Sequence, residues 1–178
     1  MNTPALAGKP GARVPEGLLG KARRAGLDGA GLERLAIQRG CDYYSQGELP
    51  MEPAVTTDQL SNEELASALL HPELRDFPRA VRLGAAMLAA EGNDPATIAR
   101  LAQVERSAAI VRYVAEAGSR FEPHNEFWRE LLRLLPAAEV PASVALPHPT
   151  RFVEMTGIDR GQVGTRTRWI RPRAQIAA

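Results

Sequence analysis

Between Asn93 and Gly118 the chain reads NDPATIARLAQVERSAAIVRYVAEAG, and Leu101, Val104, Ala108, Val111 and Ala115 recur at alternating spacings of three and four. That rhythm draws an apolar stripe down one face of an α-helix, which Ile98, Ile110 and Val114 widen. Asn93 or Asp94 is placed to cap the helix, Pro95 suits its first turn, and Gly118 stands where a C-terminal stop would. Unbroken over 95–117, the helix would be about 34 Å long at 1.5 Å per residue. The pattern is equally compatible with two helices and a break. Either way, it offers a face on which neighbouring apolar segments can pack.

The neighbours are helical by the same reasoning. Ser61 and Glu64 have capping-box spacing and Leu60 and Leu65 that of a hydrophobic staple, which predicts a helix over about 62–70, ended by His71-Pro72. Pro78 opens a second, to about Glu91, with a face rich in small residues (Ala80, Gly84, Ala85, Ala86, Ala89, Ala90) that permits a close neighbour. Asn125 caps a third, in which Phe127, Trp128, Leu131, Leu134 and Leu135 form the buried side. Glu126–Arg129 and Glu130–Arg133 pairs lie outside. Two shorter helices are expected earlier, over 16–25 and from about Leu32 to Gly40, with Tyr43 and Tyr44 as a packed edge after them.

This predicts an all-α protein, a compact helical bundle or a short stack of helical hairpins. A Pro/Gly-rich disordered leader occupies 1–15, short N-terminal helices 16–44, a linker 45–59, the helical core 60–136, and a Pro-rich connection with a basic C-terminal segment 137–178. Within that last segment Phe152 and Trp169 are large enough to require docking on the body. At 178 residues the chain suits one domain with a real core, and with 5% aromatics that core is built from Leu, Val, Ile and Ala.

Net charge is +1, but it is unevenly distributed. Residues 1–40 carry +4, residues 41–148 carry −7 and residues 149–178 carry +4. Basic ends of this kind engage polyanions or fold back on an acidic body, their own or a partner's.

Chemistry-bearing patterns are sparse. A single cysteine, Cys41, allows no internal disulfide and no multi-cysteine metal site. His71, His124 and His148 each lie beside a proline at a boundary, outside any metal-binding signature, and Glu63-Glu64 suits a helix N-terminus. No catalytic, cofactor-binding or metal-binding residue is assigned. The opening residues lack the apolar core of a secretory signal, no run reaches membrane-span length, and a cytoplasmic protein is expected.

Two stretches resemble a helix-turn-helix. One is central, on Ile98-Ala99, Ala102, Val104 and Ile110, with Gln103 where the turn carries glycine and Glu105 where a phosphate would lie. The other is RFVEMTGIDRGQV, on Phe152, Gly157, Ile158 and Val163. The second resemblance implies that Arg160, Arg166 and Arg168 lie on or near a recognition element, suited to phosphates and guanine edges. Together with Arg171, these are the candidate contacts to nucleic acid or to an acidic partner. The reading favoured here is a non-enzymatic helical interaction or regulatory protein of adaptor type, with a protein partner or a second copy. A DNA-binding regulator using residues 150–171 is the alternative, and an enzyme of unrecognised type the third.

Overall fold

A computed structural model describes residues 16–44, 59–74, 78–141, 144–156 and 166–173. The leader, most of the linker and Arg160 lie outside the described residues.

The protein is mainly helical. Seven helices are described: α1 (Leu18–Arg24), α2 (Gly29–Gln38), α3 (Asn62–Leu69), α4 (Pro78–Leu88), α5 (Pro95–Val104), α6 (Ala108–Phe121) and α7 (Glu126–Leu134). A short antiparallel ribbon, β1 (Val153–Thr156) with β2 (Arg166–Trp169), closes the described chain. α3 and α2 pack on α4, α1 and α5 on α3, and α7 on both α5 and α6.

Local chemistry accounts for the helix starts. Ser61 Oγ accepts from the Glu64 N–H at 3.1 Å, and the Glu64 carboxylate accepts from the Ser61 N–H at 3.0 Å, a reciprocal capping box. Asp94 caps α5, accepting from the amides of Ala96 and Thr97. Asn93, the other candidate cap, instead donates its side-chain amide to the carbonyls of Met87 and Leu88, partnering the open end of α4. Asn125 caps α7 as expected, and the Glu126–Arg129 and Glu130–Arg133 pairs lie on its exposed side.

The stripe from Leu101 to Ala115 is split between two helices. α5 ends at Val104 with Glu105 as its C-cap, and Arg106 takes the left-handed conformation at φ 55°. Ser107 N–H reaches the Ala102 carbonyl at 2.8 Å and Arg106 N–H that of Gln103 at 3.3 Å, the pattern of a Schellman stop. The stop is built on arginine, so no glycine announces it. Val104, expected on the buried face, is consequently 65% exposed. Leu101, Val111, Val114 and Ala115 are buried as the spacing predicts.

Gly118, placed at the helix end by its sequence position, lies inside α6. A Cβ there would stand 2.4 Å from the Trp128 ring, so the missing side chain admits α7. α6 stops three residues later, before Glu122-Pro123, where the residue preceding proline is pushed out of the helical region.

The most enclosed helix is α4. Eight of its eleven residues are buried, against six of fourteen in α6. Its small residues let α3 approach so closely that a Cβ on Gly84 would meet Leu70 Cγ at 2.7 Å. The body is therefore arranged around α4, one helix upstream of the stripe that suggested itself as the organiser.

Candidate functional site

Two aromatic anchors hold the described part of the closing segment on the body. Phe152 and Trp169 are both buried. Trp169 lies 4.9 Å from Trp128 and 5.6 Å from Phe152 between ring centroids, Phe152 meets Tyr113 edge-on at 6.4 Å, and Phe127 meets Trp128 at 4.9 Å. The chain has two tryptophans, three tyrosines and four phenylalanines, and five of these rings gather at this junction. The Trp169 indole N–H donates to the Ala85 carbonyl at 3.1 Å, occupying an acceptor in the last turn of α4.

From these anchors the ribbon sets the arginines. Val153 faces Trp169, Glu154 faces Arg168 and Met155 faces Thr167 across the ladder. Side chains alternate across a strand, so Met155 and Thr167 share the face of Val153 and Trp169 but lie farther from the anchors. There Met155 is 74% exposed. Arg168 and Glu154 occupy the other face, and Arg168 is exposed. The second helix-turn-helix resemblance is thereby corrected: Phe152 ends a 3-10 turn and Val153–Thr156 is strand, so this part of RFVEMTGIDRGQV is not helical. The pairing across nine intervening residues that makes it a strand lies beyond any local window of the sequence. Arg166 is on β2, and Gly157, Ile158 and Val163 lie outside the described residues.

Arg171 meets a carboxylate. Its guanidinium donates to both oxygens of Glu122, which also accepts from Trp128 Nε1 at 2.9 Å and Asn125 Nδ2 at 3.0 Å. Burial pushes the Glu122 carboxyl up, but the hydrogen bonds from Arg171, Trp128 and Asn125 outweigh it and hold the group at about 2. Arg173 donates to Asp42 at 2.9 Å, and its main-chain N–H to the Gly40 carbonyl at 2.9 Å. Near the other end, Lys21 pairs with Glu64 at 2.7 Å. Among the described residues, cations from both basic ends thus rest on carboxylates of the acidic middle. A cleft of about 140 Å³ lies between the ribbon and the turn at Asp42–Tyr43, lined by Glu154, Arg168, Ile170, Arg171 and Arg173 as well.

The central helix-turn-helix resemblance does correspond to two helices and a three-residue turn. Its second helix, however, is not available to a groove. Ile110, Val111, Val114, Ala115 and Ala117 are buried, and the connection after α7 runs over Arg112 and Tyr113.

One arrangement invisible in the sequence pairs a partly buried imidazole with a buried carboxylate. His71 Nε2 lies 3.7 Å from Glu105 Oε2, and Glu105 Oε1 accepts from the Leu18 N–H at 3.1 Å, capping α1 from 87 residues away. His71 Nδ1 accepts from the Glu73 amide at 3.2 Å. Every nitrogen and oxygen of the pair faces a protein group, which is the arrangement of a tertiary cap. Cys41 is fully buried, and burial, with Asp42 beside it, pushes its thiol up to about 12. It is protonated at neutral pH and is a packing residue, not a nucleophile. Among the described residues no group of three metal-binding side chains occurs, and no helix is long and apolar enough to cross a membrane.

The chain matches no protein-family model, no curated protein and no solved structure.

Proposed function

We propose that the protein is a non-enzymatic interaction or regulatory protein of adaptor type, acting in the cytoplasm through contacts with a protein partner or a second copy. The observation that carries this reading is the use made of the closing arginines: Arg171 and Arg173 are engaged by Glu122 and Asp42 of the acidic body. Arginines that serve a polyanion need their forks free for phosphates or base edges. What the ribbon presents outward is a mixture: the exposed Met155 on one face, Arg168 opposite Glu154 on the other, and Tyr43 close by. Apolar, aromatic and arginine side chains at one place suit a protein interface better than a duplex.

The DNA reading, now through a ribbon instead of a recognition helix, is the outcome to be excluded. Titration with mixed-sequence duplex at about 50 mM salt, where electrostatic binding is strong, separates the two. The adaptor reading expects affinity no tighter than about millimolar, and no change when Arg160, Arg166 and Arg168 are all replaced by Ala. Micromolar binding that falls steeply with salt and is lost in the triple variant would establish the nucleic-acid reading instead. On the positive side, a photo-crosslinking residue at position 155 should form a discrete protein adduct in cells, and Arg168→Glu should diminish it.

A further inference from the structure

We propose that the outer edge of β1 pairs with a second copy of this chain, joining two copies into one antiparallel sheet in the order β2-β1-β1-β2. The inference rests on the interaction reading above, which it narrows to a second copy at the ribbon.

The direction of the main-chain groups follows from the register. Ile170 N–H donates to the Phe152 carbonyl at 3.0 Å, which makes these two a hydrogen-bonded pair at the start of the ladder. Such pairs alternate with non-bonded ones between antiparallel strands, so Glu154 with Arg168 and Thr156 with Arg166 are bonded pairs as well. Val153 and Met155 therefore turn their N–H and C=O groups away from β2, and Thr167 and Trp169 turn theirs away from β1.

The two outer edges differ in what lies beyond them. β2 packs on α6, Trp169 is fully buried, and its outward carbonyl accepts from Arg171 Nη1 at 3.5 Å. β1 has β2 and the 3-10 turn Pro149–Phe152 as its neighbours. Met155 is exposed, and among the described residues the outward main-chain groups of Val153 and Met155 meet no hydrogen-bond partner. An exposed, unpaired edge is a template for another strand.

The residues of β1 select the partner and the register. Two copies related by a two-fold axis meet with like faces together, so the axis passes through a residue. An axis at Glu154 would set two carboxylates directly opposite each other in a close non-bonded pair, which is repulsive. An axis at Met155 bonds Met155 to its own copy through both N–H and C=O groups and sets Glu154 opposite Thr156. That register uses unpaired peptide groups, lays two exposed methionines side by side and keeps the carboxylates apart. It also closes, because the edges left over belong to β2 and lie against their own bodies. Pairing β1 with the β2 of the next copy would need the edge that the body covers.

The test uses the full chain and reads its oligomeric state by sedimentation velocity over a concentration series. The unaltered chain should dimerise with a Kd on the order of 10–100 µM, as fits a small interface. Met155→Pro removes an N–H that β2 does not use, so it should keep the ribbon's own ladder and weaken the dimer at least about tenfold. Circular dichroism of the variant should be unchanged. Disulfide formation reads the register separately. Met155→Cys should cross-link to its own copy on mild oxidation, because a bonded pair holds its Cα atoms about 5.5 Å apart, within disulfide range. Glu154→Cys should cross-link much more slowly, and Cys41 is buried and stays out of the reaction. Should the proline variant fail to fold, the two cysteine variants decide. A chain that stays monomeric up to about millimolar concentration, a dimer unaffected by Met155→Pro, or faster cross-linking at 154 than at 155 overturns the proposal. A photo-adduct at 155 with a different protein, while the purified chain is monomeric, overturns the second copy and leaves the interaction reading standing, so the two fall separately.

Discussion

The helical body and the closing segment are held by different means. The body is a continuous apolar interior in which α4 touches neighbours on nearly every side, and its cohesion is spread over many Leu, Val, Ile and Ala side chains. The closing segment has few buried residues among those described. Phe152, Trp169 and Ile170 are its apolar anchors, and the Arg171–Glu122 pair is its charged one. Cohesion that is distributed fails by degrees, whereas cohesion concentrated in two rings, one isoleucine and one carboxylate can be removed by a single substitution or by acid.

Breaking the body should have the largest effect. Val111→Asp places an unpaired charge in a fully buried site on α6 and should cost several kcal/mol, about 4 or more, abolishing cooperative unfolding at room temperature. An unchanged thermal midpoint would mean α6 is wrongly placed. Trp169→Ala should cost about 3–5 kcal/mol by the usual measure of a lost core ring. Its signature should differ: helix content by circular dichroism largely kept, with rapid proteolytic cutting near the ribbon. Loss of all helix signal together with the ribbon would erase the distinction between the two regions.

Acid should act on the closing segment first. The Glu122 carboxyl sits at about 2 in the folded protein, below its ordinary value of 4.5. A depressed carboxyl stabilises fully above the unfolded value, and that stabilisation is lost as pH falls from about 4.5 towards 2. It is worth on the order of 2–3 kcal/mol at neutral pH. Glu122→Gln should remove most of it and flatten the stability curve over that interval, as read by urea unfolding at several pH values. The same acid dependence in the variant would mean that other carboxylates carry it.

The smallest effect concerns the α5–α6 corner. Arg106 occupies a left-handed position at a cost of about 1 kcal/mol relative to glycine, partly offset by glycine's freedom in the unfolded chain. Arg106→Gly should therefore raise stability by a few tenths of a kcal/mol to about 1. A decrease would show that the Arg106 side chain contributes more than its backbone costs.

What could be read from the sequence follows the reach of its signals. Caps and stripes are local, so Ser61 with Glu64, Asp94 before Pro95, Pro78 and Asn125 announce four helix starts within three or four residues. The all-α architecture follows from them. The break at Arg106 escaped because the left-handed residue is not glycine, and Gly118 misled because its reason is the Trp128 ring ten residues on. The ribbon depends on pairing between Val153 and Trp169, residues too far apart in sequence for any window of local periodicity to contain both. The candidate surface was legible as a set of arginines and a charge asymmetry. The carboxylates that engage them were not, since Arg171 and Glu122 lie 49 residues apart.

The central claim is that the closing segment is an integral layer on α4 and not a free basic tail. Hydrogen exchange of the Trp169 indole N–H, bonded to the Ala85 carbonyl, tests it most directly. Exchange at least about a thousandfold slower than in a free indole, equivalent to an opening free energy near 4 kcal/mol, and faster in Glu122→Gln, is the predicted result. Exchange at the free-indole rate while the α4 amides remain protected would contradict it.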